Sequence, residues 1–432
     1  MTDIYEIAEY TLEALKKSGA DAAQCIVSKS KKDELNVDSG KFSLMRSTFN
    51  TSISMKAIKD GKKGVTSINQ ATKEAIDEAA AQCISAAQSS VPDEAEQIAP
   101  FTAKAEYKTG VFEPELDKLF DRIEEFMSQT AAEYPKIILE QLISDYEHSE
   151  KLYMNTNGTS LKYEHGEYSF NTMFSAHEGE KASSFNGYFC ALDSLDKPFM
   201  DAGMQRQLLD ESEKQLDTVS PSEKFVGRVI YSPDCFNELL QTALENFASS
   251  GVLIDGTSPW KDALNTKVAS EKLNLRSVPL DGRTVVGQRF TSDGYPVEDM
   301  DIIIDGVLKT FILSQYGANK TGFPRSLNSG NNLEVLPGEK ALEEMISGID
   351  RGLIVNRFSG GQPSSNGDFS GVAKNSFLIE NGKVVSAVSE TMISGNIIDM
   401  LNNIVAVSKE QTTDGLSFMP WAEFDGVTVS GK

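Results

Sequence analysis

Ile53-Ser54-Met55-Lys56-Ala57 alternates apolar and polar side chains and runs on toward Asp60-Gly61. Side chains along a strand point to opposite faces in turn, so this stretch reads as a half-buried strand, and Asp-Gly is a favoured two-residue hairpin turn. Short strand patterns precede it at residues 24–27 and 42–45. Upstream, Asp3 and Glu6 stand at capping-box spacing, Ile4, Ile7, Ala8, Leu12 and Leu15 follow a helical stripe, and Gly19 stops it. Downstream, Thr72 is placed to cap a second helix, in which Ile76, Ala79, Ala80, Cys83, Ile84 and Ala87 form a narrow face suited to close packing on a sheet. Helix, antiparallel strands, helix is an α+β order, unlike the strand–helix alternation of a parallel sheet.

Residues 89–110 carry Pro92, Pro100 and several acids without clear periodicity and are expected to form an extended surface connection. Pro114 suits a first helical turn, and Leu116, Leu119, Phe120, Ile123, Phe126 and Met127 make the expected buried face of a third helix. A strand is expected over 137–143, and residues 152–154 and 161–170 flank Asn157-Gly158, a hairpin signal. A helix over 204–216 and a polar link over 217–224 close this half. The C-terminal half shows helices over 235–247, 316–320 and 341–349. Turn signals recur there at Asp281-Gly282, Asp293-Gly294, Asp305-Gly306 and Asn381-Gly382 between β-branched runs. The expected fold class is α+β. A helix and antiparallel-sheet domain over 1–220 is followed by a strand-rich domain over 221–432 with large mixed or antiparallel sheets.

The 432 residues hold 41 Lys and Arg against 64 Asp and Glu, a formal charge of −23. Direct nucleic-acid binding and adhesion to an anionic membrane both need an excess of cations, so neither is expected. No apolar run approaches the roughly 18 residues of a membrane span. The start, Met1-Thr2-Asp3-Ile4, is acidic and amphipathic, so neither a signal nor a transit peptide is expected. Cys25, Cys83, Cys190 and Cys235 are scattered without a CxxC and suit reduced core thiols. The expected compartment is the cytoplasm.

Residue types alone offer little catalysis. Only His148, His165 and His177 are present, none in an HExxH or HExxxH pattern. His165 and Glu167 share a strand face, and His177 beside Glu178 could lie across a neighbouring strand, which is tolerable metal geometry; the alternative is three ordinary sheet histidines. No GxSxG elbow, P-loop or GxGxxG occurs. The Gly- and Ser-rich run 359–370 is either an anion cradle or a turn, and Trp260 either stacks on a ligand or anchors a core. No catalytic or metal-binding set emerges.

Several strings resemble the TldD/PmbA family, called modulators of DNA gyrase. Ser394-Gly395-Asn396-Ile397-Ile398-Asp399-Met400-Leu401-Asn402-Asn403-Ile404-Val405-Ala406-Val407 is very similar to the family's GNxxDMLxNIxxVG stretch. Gly367-Asp368-Phe369-Ser370 matches its GDFS turn, followed by Ile379-Glu380-Asn381-Gly382 and Val388-Ser389-Glu390. Asp305-Gly306-Val307-Leu308-Lys309 leading to Tyr316-Gly317-Ala318-Asn319-Lys320, the closing Gly426-Val427-Thr428-Val429-Ser430-Gly431 and the early Gly61-Lys62-Lys63-Gly64-Val65 extend the likeness almost end to end.

The resemblance implies a zinc peptidase system in which a TldD-type subunit carries an HExxxH helix and a later Cys. Here the motif would fall near Gln241-Thr242-Ala243-Leu244-Glu245-Asn246, and the Cys near Asp414-Gly415-Leu416-Ser417; neither is present. Neutral Gln, Thr and Asn are poor zinc donors. By this departure the chain resembles the PmbA/TldE-type subunit. That resemblance implies no metal or cofactor of its own, with zinc in a TldD-type partner, a homodimer when alone, and extended unfolded peptides as what the complex handles. Gly360, Gly361, Gly367, Asp368, Phe369, Ser370, Gly395 and Asn396 are the residues expected near substrate or partner. The alternatives are a gyrase-modulating binding protein, or a stand-alone hydrolase with metal on His165, Glu167 and His177.

Overall fold

The computed structural model describes residues 3–221, 223–389 and 391–431. Asp3 caps the first helix, Ile4–Lys17, by accepting hydrogen bonds from the Tyr5 and Glu6 amides at 2.9 and 3.0 Å, and Gly19 leaves it at φ +105°. The second helix, Lys73–Ser89, is capped by Thr72. Both helices bury their predicted faces against one end of an eight-stranded sheet, around Val27, Ile53, Met55 and Leu152.

That sheet runs Lys62–Ile68, Lys41–Lys59, Ala22–Asp38, Ile137–Asn155, Ser160–Glu178, Lys104–Gly110, with Lys181–Ala182 and Asn186–Leu192 also pairing with Ser160–Glu178. All neighbours are antiparallel except Lys104–Gly110, which lies parallel to Ser160–Gly166. The Asp60-Gly61 hairpin forms with both residues at positive φ, and Asn157-Gly158 lies at the tip of the hairpin between the two 19-residue strands.

Three expectations need correction. The strands foreseen at 24–27 and 42–45 belong to strands of 17 and 19 residues. Their outer halves are mostly polar or exposed, with only Leu35, Val37 and Phe42 reaching an apolar cluster, which leaves too short a hydrophobic period to read. Residues 89–110 are not wholly a surface connection, because Lys104–Gly110 is a strand and Glu96 is buried between Lys56 and Lys63. Phe120 of the third helix, Leu116–Glu133, faces outward and stacks on Phe42, with ring centroids 4.4 Å apart. One edge also stands open. Lys41–Lys59 pairs with Lys62–Ile68 only from Ile53 onward, and along 41–52 its outer side carries no strand among the described residues, while Met45 and Phe49 are 78% and 73% exposed.

The second sheet is mixed and has 14 strands. Its centre is Phe418–Ser430, flanked by Phe225–Tyr231 antiparallel and Leu333–Val335 parallel. Asp305-Gly306 and Asn381-Gly382 close hairpins, each with both turn residues at positive φ. Asp293-Gly294 closes a loop with one bridge, Phe290 to Pro296, and Asp281-Gly282 closes no hairpin. There the Asp281 carboxylate binds the Arg283 amide and guanidinium, a local side-chain turn that replaces strand pairing. The helix Pro233–Ala248 packs on this sheet through Phe236 and Phe247, and Trp260 is a buried anchor against Phe247.

Besides an apolar cluster of its own, each sheet contributes to a shared one. The shared cluster joins Tyr168 and Phe170 of the first sheet, with Phe126 of the helix Leu116–Glu133, to Ile230, Phe377 and Trp421 of the second. Among the described residues no helix is long and apolar enough to cross a membrane, and all four cysteines are buried and free.

Candidate functional site

Register decides which side chains meet. In the pair Ile137–Asn155 and Ser160–Glu178, Lys151 lies opposite Tyr163, Ser149 opposite His165 and Glu147 opposite Glu167. Alternation sends Ser149, Lys151, Tyr163, His165 and Glu167 to one face, where they floor a cavity of about 780 Å³. The opposite wall is the helix Pro233–Ala248, which presents Gln241, Leu244 and Glu245, one turn apart, with Ser249 beyond them. A strap, residues 286–290, and the turn 329–332 close the rest. Asn332, at φ +53°, ties them together by donating to Val286 O at 2.9 Å and Leu416 O at 3.0 Å.

His165 is 2% exposed. Its Nδ1 lies 2.8 Å from Thr109 Oγ1 and 3.1 Å from Thr109 O; a carbonyl only accepts, so the proton sits on Nδ1. Nε2 comes within 3.0 Å of Glu167 Oε2 without hydrogen-bond alignment, and both buried atoms lack a hydrogen-bond partner. Lys151 points its ammonium toward the Phe290 ring, 5.8 Å from the centroid, and burial pushes its amine below the usual lysine range. The Arg289 guanidinium lies 5.6 Å from the Tyr163 ring centroid, and its Nη1 donates to the Pro279 and Gln288 carbonyls. Neither cation forms an ion pair among the described residues.

The three-ligand metal set fails on geometry. His177 lies on the same strand as His165, twelve residues further on, about 40 Å at the usual rise per residue. It contacts Ser175 instead, at 3.0 Å. His148 faces Glu164, at 3.0 Å, and is not part of the cavity lining. The helix wall offers Gln241, Leu244 and Glu245, and no group of three His, Cys, Asp or Glu among the described residues is placed to hold a metal. The donor set does not fit zinc.

The Gly- and Ser-rich motifs meet each other away from this cavity. Asp368 and Asn396 are register partners, and Gly367, at φ +92°, places an added Cβ against Phe247 and Asn396. Asn396 Nδ2 donates to Asp368 Oδ1 at 2.9 Å, and Asn366 Nδ2 to Oδ2 at 2.9 Å, which holds the Asp368 carboxyl below its usual range. Those donors already serve the loop's own carboxylate, which weakens the anion-cradle reading. Gly395 stands opposite Phe369, Ser370 is exposed, and Gly360, Gly361 and Phe369 border a smaller cavity of about 260 Å³ with Cys235 and Thr242. Another cavity, about 930 Å³, holds Asp234, Glu238 and Asp414 beside Arg357 and Lys374; burial, then Asp414, pushes Asp234 up to about 6.

Residues 224–431 match the PmbA/TldA metallopeptidase C-terminal domain, and residues 23–87 match PmbA/TldA metallopeptidase domain 1. The chain belongs to the PmbA/TldD family. It is 32% identical to the metalloprotease PmbA of Escherichia coli O157:H7 over 155 residues, 35% of this chain and 34% of that one. With a PmbA homologue of Buchnera aphidicola it shares 25% over 283 residues, 61% and 62% of the two chains. The aligned stretches thus span a third to three fifths of these relatives. The fold matches TldE of Thermococcus kodakarensis with a TM-score of 0.83 at 22% identity, over 98% of this chain and 100% of that one. It also matches a protein described as a modulator of DNA gyrase from Bacteroides thetaiotaomicron, with a TM-score of 0.83 at 24% identity and complete coverage of both. This PmbA/TldD member is therefore metallopeptidase-related. Its 394–407 string, which carries the family likeness, spans the end of the strand Thr391–Asn396, the helix Ile397–Asn402 and the start of the strand Ile404–Thr413; Glu390 of a neighbouring family string lies outside the described residues.

The cavity residues Lys151, Arg289 and Asn332 were not singled out from sequence. The available signal was the polar run Asn328-Ser329-Gly330-Asn331-Asn332, whose Gly330 and Asn332 take positive φ to fold back on the strap.

Proposed function

We propose that this chain is the non-catalytic, PmbA/TldE-type subunit of a TldD/TldE-type zinc metallopeptidase complex that processes or degrades unfolded peptides, and that its 780 Å³ cavity contributes to the substrate chamber. The observation that carries the reading is the cavity wall, where the helix presents Gln241, Leu244 and Glu245 and no histidine or cysteine. A TldD-type subunit is the partner, the isolated chain pairs with itself, and the compartment is the cytoplasm. Backbone pairing to sheet edges gives sequence-tolerant capture of an extended peptide. The domain limits 1–220 and 221–432, and the closeness of the 360–370 and 395–396 residues to substrate or partner, belong to the same proposal.

The test is reconstitution with a TldD-type zinc subunit and an unfolded peptide. Cleavage should rise when this chain is added; an equal rate with and without it would sink the reading. A second reading, a hydrolase in its own right, draws on His165 and Glu167 lining the cavity with unpartnered atoms. Elemental analysis after zinc loading and gel filtration separates the two. Near one equivalent of zinc, lost in His165→Ala, would favour the second.

A further inference from the structure

Acids outnumber bases in this chain 64 to 41, so an arginine or lysine has carboxylates to pair with almost anywhere. Lys151 and Arg289 line the cavity without an ion pair among the described residues. They also converge. Lys151 is the cross-strand neighbour of Tyr163, and the Arg289 guanidinium lies over that same Tyr163 ring while Lys151 approaches Phe290. Rings beside cations hold them in place and keep water off them.

Arg289 is set rather than mobile. Its Nη1 is spent on the Pro279 and Gln288 carbonyls, which leaves the rest of the guanidinium fork for a ligand. The strap that carries it packs so tightly that a Cβ on Gly287 would strike the Pro279 carbonyl. Beside the pair, the buried Nε2 of His165 has no hydrogen-bond partner. Glu167, the acid on the same floor, sits four residues along the strand from Tyr163, about 13 Å away, and the other acid of the lining, Glu245, stands on the opposite helix wall, so the floor has a basic and an acidic end. Burial lowers the affinity of the Lys151 amine for its proton, a cost that an incoming anion would remove.

We propose that the basic end of this cavity, Lys151 and Arg289 gathered around Tyr163 and Phe290, is a subsite for a peptide carboxylate, either the C-terminal group or an Asp or Glu side chain. The inference rests on the cavity's being a peptide chamber, and the experiment separates the two claims. Fluorescence polarisation on the full-length, tag-free protein compares four ligands: a dansylated tetrapeptide of Gly, Ala and Phe with a free C-terminus, its C-terminal amide, an amide carrying one Glu, and hippurate as competitor. The free acid should bind about tenfold or more tighter than the plain amide, as expected for a charge-assisted contact. Lys151→Met and Arg289→Met should erase that preference, and Arg289→Lys should keep part of it. A Glu-containing amide that matches the free acid would name the side chain as the source. The ligand comparison needs no variant, so a substitution that fails to fold does not decide the outcome. Equal affinity for the free acid and both amides overturns the carboxylate subsite and leaves the chamber standing. Saturable hippurate binding by titration calorimetry with no peptide binding keeps the subsite and overturns the chamber; no binding of any ligand overturns both.

Discussion

At the scale of single residues, two positions make sharp demands. Gly64 lies where the strand Lys62–Ile68 meets the small-residue face of the helix Lys73–Ser89, and a Cβ there would strike the Cys83 carbonyl oxygen. Gly64→Ala should therefore destabilise the fold by about 1–3 kcal/mol, read from the midpoint of urea unfolding. Burial pushes the Glu211 carboxyl up to about 7 from 4.5, although Gln207 and Asn356 donate to it. A folded pKa above the unfolded one means the native state holds the extra proton, so stability falls as pH rises from about 4.5 to about 7. Glu211→Gln should flatten that fall, gaining roughly 1–3 kcal/mol at pH 8 and little at pH 4.5 in denaturant titrations. Neither demand was fully legible beforehand. The Gly61-Lys62-Lys63-Gly64 string was visible as a motif, but the collision needs the helix above it, and the cost of burying Glu211 needs the walls around it.

At the scale of elements, the first two helices were legible because each carries its own cap and stripe: Asp3 and Thr72 stand where sequence puts them, whereas the helix expected from Cys235 begins two residues earlier, at Pro233. Turns were legible only when the dipeptide met strands on both sides. Asp305-Gly306 and Asn381-Gly382 have pairing partners immediately adjacent, whereas Asp281 spends its carboxylate on Arg283. The strand Lys104–Gly110 escaped because its alternation mixes Lys, Glu and Tyr, and its partner lies 56 residues away in sequence. Asn396 shows one residue serving two elements. It caps Ile397–Asn402 through the Ile398 amide at 2.9 Å and fixes the 360–370 run through Asn366 O and Asp368. Asn396→Ala should speed amide exchange across 361–368 and leave the centre of Phe418–Ser430 protected, as seen by hydrogen–deuterium exchange with mass spectrometry.

At the scale of the molecule, the sequence divides the chain in two but cannot show that the halves share an apolar core. Phe126 and Phe170 belong to the same cluster as Trp421, across more than two hundred residues of chain. Thermal unfolding followed at near- and far-ultraviolet wavelengths should therefore give coincident single transitions; two separated transitions would show that the shared cluster carries little of the stability. The candidate cavity was half legible for the same reason. His165 and Glu167 drew notice as residue types, but Lys151 and Arg289 become a pair only when the register of one sheet brings a strand beneath a strap from the other.

The open side of Lys41–Lys59 has a colloidal consequence. A strand border some twelve residues long, with Met45 and Phe49 bare beside it, is a template on which like molecules can stack. What opposes stacking is mutual repulsion between particles that each carry a charge of −23, with Lys41 and Arg46 interrupting the apolar row. Repulsion of that kind is screened by salt, while backbone pairing is not. Concentrated solutions should turn cloudy as sodium chloride is raised toward molar levels, and Met45→Lys with Phe49→Lys should keep them clear in the same light-scattering assay.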